Sequence, residues 1–234
     1  MIEIIQSYWQ AFLYSDGYNM TGVAMTLWLL VISCALGFCI ALPLAILRNS
    51  RNPLFWAPVW IYTFVIRGTP LYVQLLIIYT GFYGLSFVHN TPFLADFFKK
   101  GIDCTILAFA LNTGAYTTEI FAGAIRDTSF GEVDAARSLG MSQAVMYRRI
   151  IIPGALRRAL PVYSNEVILM LHATTLAFTA TVPDILKIAN DAYSATYNPF
   201  ASFTAAALLY LCISFVLIFG FRKAEQHFLA FQRP

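Results

Sequence analysis

The chain has 234 residues, of which 59% are hydrophobic and only 12% charged, and it carries a formal net charge of +3. An average soluble domain has about 25% charged residues, so a water-facing shell around a core of this size is excluded, because too little charge exists to coat it. The small positive excess is also not the concentrated basic surface with interleaved aromatics that a nucleic-acid binder uses, and the composition is that of an integral membrane protein.

Taken in chain order, residues 1–22 contain no Lys or Arg and no small-residue cleavage site, so the first span is expected to be kept as an anchor. Tyr8, Trp9, Phe12, Leu13 and Tyr14 give this start an amphipathic character suited to the outer interface. Crossing the hydrocarbon core takes about 20 apolar residues at 1.5 Å each. Five stretches are expected to do so: about 23–47, 71–88, 106–125, 160–181 and 203–221. Residues 56–66 read as a short connecting helix. Arg67-Gly68-Thr69-Pro70 then lies at the cytoplasmic start of the second span, since Pro suits a first helical turn and Gly permits a tight approach. A proline kink inside one tilted span from 57 to 80 is the alternative.

Orientation follows from the basic residues, which are retained in cytoplasmic loops. With five spans, one side holds only Lys99, Lys100 and Lys187. The other holds Arg48, Arg51, Arg67, Arg126, Arg137, Arg148, Arg149, Arg157, Arg158, Arg222, Lys223 and Arg233. The expected arrangement is a multi-pass protein with its N-terminus outside and its C-terminus in the cytoplasm.

The insert at 127–158 is too long and too patterned for a loose loop. Asp127, Glu132 and Asp134 suit a helix N-terminus and Arg137 its C-terminus. Gly140 offers a left-handed turn, Ser142 a cap for a second helix over 143–151, and Pro153 its stop. Val133, Ala136 and Gly140 fall at helical spacing and form a small-residue face expected to dock another protein. An interfacial helix lying on the headgroups is the alternative.

Polar groups inside spans are costly and mark functional candidates. Asn112, Tyr116, Glu119 and Gly123 recur at helical spacing on one face of the third span. Asn165 and His172 share a face of the fourth, with Glu166 about 100° round. Glu119 and Glu166 are each about 10 to 12 Å above the inner basic belt at 1.5 Å per residue. Together these residues are candidates for a translocation path or gate, and bonding between helices is the competing role.

Several chemistries lack their residues. No G-x-x-x-x-G-K-[ST] phosphate cradle is present, no H-E-x-x-H or paired carboxylates, and no nucleophile elbow. Cys34, Cys39, Cys104 and Cys212 lie in or at the edge of spans without metal-site spacing and read as packing residues.

Asp134-Ala135-Ala136, three residues, Gly140, nine residues, Ile150, one residue, Ile152-Pro153 resembles the E-A-A-x3-G-x9-I-x-L-P signature of the membrane subunits of bacterial ABC importers, with Asp for Glu and Ile for Leu. Likeness extends to Arg67-Gly68-Thr69-Pro70-Leu71, to the run Asn112 to Gly123 and to Asn165-Glu166-Val167-Ile168-Leu169. These are similar to the polar amino acid branch of those permeases. His172-Ala173-Thr174-Thr175-Leu176 is similar to the M-type subunits of the histidine/lysine-arginine-ornithine, octopine and nopaline importers.

The resemblance implies an all-α integral membrane protein of the type I ABC importer permease fold, with five transmembrane helices and a cytoplasmic coupling helix, in the bacterial inner membrane. It implies that Glu132, Asp134, Ala135, Ala136 and Gly140 meet a cytoplasmic ABC ATPase dimer. ATP and magnesium would be bound there, with no cofactor in this chain and no enzymatic activity of its own. A homologous second permease would form the other half of the pore, and an extracytoplasmic amino acid-binding protein would deliver basic amino acids or opines to loops 89–105 and 182–202. A different polar amino acid, or a non-transporting membrane scaffold docking a soluble partner through 131–153, are the alternatives.

Overall fold

The structure, a computed structural model, describes residues 2–229, with side chains from Gln6 onward. Arg233, counted above with the cytoplasmic residues, lies outside them. The elements are α1 (Ile2–Leu13), α2 (Gly22–Arg48), α3 (Pro53–Gly68), α4 (Leu71–Leu76) continued by a π turn (Ile77–Gly81), α5 (Ser86–His89) and α6 (Pro92–Lys99). They continue with α7 (Gly101–Arg126), α8 (Phe130–Ser138), α9 (Gln143–Met146) with a π turn (Tyr147–Ile151), α10 (Ile152–Ala173) with a 3-10 turn (Thr174–Ala180), α11 (Ile185–Thr196) and α12 (Pro199–Phe228). Among the described residues only two isolated β-bridges occur, Ser15 to Met20 and Gly22 to Asp184.

The helices α2 and α12, with mean hydropathies of 2.6 and 2.3, are long and apolar enough to cross a bilayer singly. By contrast α7, at 26 residues, and α10, at 22, are long enough at about 1.5 Å per residue but carry Thr, Asn and Glu. Most of those on α7, and Ser164 and Glu166 of α10, are turned into the bundle, where polar side chains meet protein and not lipid. The most extensive seam joins α2 to α7. A Cβ built at Gly37 would stand 2.4 Å from Thr113 Cγ2 and 3.1 Å from the Gly114 nitrogen, so only glycine allows the two backbones to approach this closely.

Between α2 and α7 in sequence, the structure departs from the expected connecting helix and straight second span. Both α3 and the α4 arm (71–81) are membrane-length only together, and they are bent by 102° at the break. Contacts along the pair run steadily along α7. Thr63 meets Glu119, Arg67 lies over Tyr116, Gln74 meets Asn112, and Phe82 stacks on Phe98 just before α7 begins. The pair therefore traverses the bundle from the Arg126 end to the Gly101 end as one broken span. Arg67-Gly68-Thr69-Pro70 is the break and lies beside the middle of α7, not at the start of a span. The kinked alternative describes it better, with helix beginning at 53 and ending at 81. Thr69 and Pro70 are extended, and the missing N–H of Pro70 cannot continue α3. Gly68 has no positive φ and a Cβ there would meet nothing within 4 Å, so no tight turn depends on it.

The insert also departs from expectation at its second half. Glu132 does lie in the first turn of α8 and Arg137 in its last; Ser129 caps the helix, its Oγ accepting from the Glu132 amide at 3.3 Å, and Asp127 ends α7. Gly140 does turn the corner, with φ of +73°. Ser142 sits at the next N-cap position, but its hydroxyl makes no capping bond. Pro153 does not stop a helix. The π turn before it shifts the bonding register, with the Ile152 amide reaching the Tyr147 carbonyl. Helix thus runs on from Gln143 through α10, which is how such bulges absorb a proline. The fourth span accordingly begins well before residue 160.

A third layer closes the end opposite the basic residues. Phe12 of α1 packs with Ile185, Ile188, Ala189 and Ala192 of α11 and Ala201, Ala205 and Ala206 of α12. Asp184, fully buried, caps α11 by accepting from the Lys187 amide at 2.8 Å and also accepts from the Tyr210 hydroxyl at 3.1 Å.

Candidate functional site

Two regions carry the residues that the sequence singled out. The first is a polar seam between α7 and the broken span. At the basic end, Glu119 Oε1 accepts from Arg48 Nε and from Thr63 Oγ1, each at 2.8 Å, which ties α2, α3 and α7 together. Asn49 adds bonds to the carbonyls of Ala45 and Ala122, and Arg158 binds the Ala124 carbonyl and Thr128 Oγ1. Further along, Tyr62 donates to the Leu111 carbonyl at 2.7 Å, and the Arg67 guanidinium lies 5.1 Å from the Tyr116 ring centroid. The Asn112 amide donates to Gln74 Oε1 at 3.2 Å.

The face of α7 formed by Asn112, Tyr116 and Glu119 is therefore not an open wall. It is covered by α3 and the α4 arm, and Asn112 is only 7% exposed. Glu166 is buried too, turned inward with Thr113 and Cys34 nearby. Asn165, by contrast, stands on the exposed face of α10 with Val162 and Leu169. His172 shares that outward face and has its Nε2 3.3 Å from Ser214 Oγ of α12. The structure thus separates the expected set. Asn112, Tyr116, Glu119 and Glu166 knit helices of this chain together, whereas Asn165 and His172 lie on an exposed face.

The second region is α8. Its small-residue face is divided: Ala136, with Val133 beside it, turns inward, opposite to the expectation, while Gly140 stays exposed. Ala136 is 2% exposed and packs with Ile125, Met146 and Ile151, with Val133 and Met141 beside it. Close approach is used here to seat α8 on its own subunit. The side left free carries Glu132, Asp134, Ala135, Ser138 and Gly140 together with two large apolar groups, Phe130 at 89% exposure and Leu139 at 76%. Asp134 pairs with Arg137 at 3.5 Å, an exposed contact of little energetic consequence. The free side of the insert thus combines exposed apolar groups with charged ones.

Sequence reasoning missed Gln74, Arg48, Thr63, Phe130 and Leu139. A signal existed for Gln74, a lone amide in an apolar run. None existed for Thr63, whose role depends on a carboxylate 56 residues away. At the end of the bundle opposite the basic residues, burial pushes the Asp184 carboxyl up to about 6, against the bonds from the Lys187 amide and the Tyr210 hydroxyl that act to lower it. Among the described residues no group of three His, Cys, Asp or Glu is placed to hold a metal ion.

Comparison with known proteins is consistent across sequence and structure. Residues 37–228 match the family described as binding-protein-dependent transport system inner membrane component. The histidine/lysine/arginine/ornithine transport system permease protein HisM of Escherichia coli K12 is 59% identical over the whole chain, which covers 98% of it. The nopaline transport system permease protein NocM of Agrobacterium fabrum is 41% identical over 85% of this chain and 82% of its own length. A crystal structure of an amino acid ABC transporter with histidines superposes with a TM-score of 0.75 at 31% identity, covering 87% of this chain and 90% of the other. An inward-facing MetNI methionine ABC transporter superposes at 0.73, but at 15% identity that likeness concerns the fold alone.

Proposed function

The chain belongs to the binding-protein-dependent transport system inner membrane components, and from this premise we propose that it is one half of the translocation path of an ATP-driven importer of basic amino acids or opines. The permease subunit itself carries out no chemistry. In this reading the basic end is cytoplasmic, a separate ATPase dimer docks on α8, a second permease faces the exposed side of α10, and a binding protein approaches the opposite end. The lipid bilayer surrounds the rest, as the apolar exteriors of α2 and α12 suit.

The observation that carries the reading is the seating of α8. One side of it, through Ala136, is part of a single packed cluster with Ala41 and Ala45 of α2, Phe121, Ala124 and Ile125 of α7 and Ile151, Ala155 and Ala159 of the α9–α10 rod. The other side offers Phe130 and Leu139 outward. A partner that pulls on α8 therefore moves three long helices at once, because close-packed interiors transmit displacement. Alternation between inward-open and outward-open states needs such a lever and no catalytic residues. Substrate class is supported by what the relatives carry: histidine, lysine, arginine and ornithine in one, nopaline in another.

The test is uptake into proteoliposomes containing the assembled importer. ATP-dependent accumulation of labelled arginine, lysine, histidine or ornithine, absent without ATP, is the expected result. Flux that proceeds without ATP would make the chain a channel component, and equal uptake of a neutral amino acid would overturn the cationic preference.

A further inference from the structure

The 102° bend between α3 and the α4 arm is crossed by one side chain. Gln74 lies four residues beyond Pro70 and is 9% exposed. Its Nε2 lies 2.7 Å from the Ile66 carbonyl, 3.0 Å from the Thr69 carbonyl and 2.8 Å from Thr69 Oγ1. Two amide hydrogens thus serve three acceptors at the end of α3, where a helix leaves its last carbonyls unpaired. The other end of the same amide, Oε1, accepts from Asn112 of α7. One planar group joins both sides of the break and the central helix.

Two observations separate this from routine satisfaction of a helix end. On the α3 side of the break, attachment to α7 is redundant: Tyr62 donates to the Leu111 carbonyl, Thr63 to Glu119, and the Tyr116 hydroxyl makes a long contact with the Arg67 carbonyl. Beyond the break, Gln74 is the sole side chain of residues 71–81 hydrogen-bonded to α7 among the described residues. The arm's remaining core contacts, through Leu71, Leu75, Ile78 and Tyr79, are apolar and so have no preferred direction. The second observation is space. A cavity of about 370 Å³ opens beside the hinge, lined by Ile66 before the break, by Val73, Ile77 and Phe82 after it, and by Leu107 and Leu111 of α7.

We propose that Gln74 is the latch of the broken span: its amide fixes the bend and registers the α4 arm against α7, and its release lets the arm swing into the adjacent cavity during transport. The latch is a positioning residue and touches no substrate by this proposal. Its place in a cycle rests on the transport reading above, whereas its hold on the bend does not.

Two measurements on the assembled importer in proteoliposomes separate these. The first is substrate taken up per ATP hydrolysed. The second is the distance between spin labels at Ile61→Cys and Thr80→Cys, one on each side of the break, with Cys34, Cys39, Cys104 and Cys212 replaced by Ala. Gln74→Leu is expected to broaden the distance distribution by several ångströms and lower uptake per ATP about tenfold, within the range by which coupling residues act. Gln74→Glu keeps the acceptor for Asn112 but loses both donors, and is expected to resemble Gln74→Leu. Asn112→Leu and Thr69→Val remove one partner each and are expected to give smaller shifts of the same sign; they carry the test if Gln74→Leu fails to assemble. Unchanged distances and unchanged uptake per ATP in the assembled variants would overturn the latch. An unmodified importer without ATP-dependent uptake would instead overturn the transport reading, with the distance measurement still deciding whether Gln74 holds the bend.

Discussion

Arg48 and Glu119 meet at 2.8 Å across 71 residues of sequence, the last residue of α2 against the carboxylate that also receives Thr63 of α3. The pair is mostly shielded, with side-chain exposures of 20% and 17%. It fixes three helices at the end where α8 is attached.

Breaking this pair from one side leaves the other charge without its partner. Glu119→Gln is expected to lower stability by about 1 to 3 kcal/mol, the scale of a hydrogen bond to a charged group. A double variant Arg48→Met, Glu119→Leu is expected to recover part of that loss, because no lone charge remains. Thermal unfolding in detergent checks both, and a double variant no more stable than Glu119→Gln would contradict the account.

The contact of Gly37 with Thr113 sets the spacing of α2 and α7. Gly37→Ala places a methyl within 2.4 Å of Thr113 Cγ2, and overpacking of this kind costs about 1 to 3 kcal/mol. Thr113→Ser removes that Cγ2, so the double variant should regain stability over Gly37→Ala alone. Additive losses would show that the methyl clash is not the cause.

Phe130 and Leu139 stand outside the packed cluster. Phe130→Ala and Leu139→Ala are therefore expected to leave unfolding temperature nearly unchanged while weakening ATPase binding about tenfold, as anchor residues at interfaces do. Ala136→Leu should do the reverse, unseating α8 and lowering stability first. Binding of the purified ATPase to the permease in detergent measures the first effect, and full retention of affinity in both exposed-site variants would remove α8 as the docking helix.

Asp184 predicts a pH dependence. Burial raises its folded pKa from 3.8 to about 6, so the folded state binds the proton more tightly than the unfolded one. Its contribution is fully present below pH 3.8 and is lost as pH rises through 6. Wild type should therefore lose about 2 to 3 kcal/mol relative to Asp184→Asn between pH 4 and pH 7, at 1.36 kcal/mol per unit. Parallel stability profiles for the two proteins would refute this.

The sequence by itself determined the class and its long apolar helices. Composition and run length govern what a bilayer accepts, and Gly22–Arg48 and Pro199–Phe228 follow from hydropathy alone. It also determined the turn at Gly140, where a positive φ needs glycine, and the family, through the spacing around Asp134 and Gly140. Tertiary structure alone decided what each polar residue faces. Asn112 and Glu119 lie on one side of α7 by periodicity, but whether that side meets water, lipid or another helix depends on a broken span whose contacting residues come 38 and 56 residues earlier in the chain. Small residues likewise permit close approach without naming the neighbour, and Ala136 used that freedom against its own subunit. Pro153 and Arg67 misled for a related reason. A helix break and a helix boundary look alike in local propensity, and only the surrounding packing determines whether the chain turns away or is held in line.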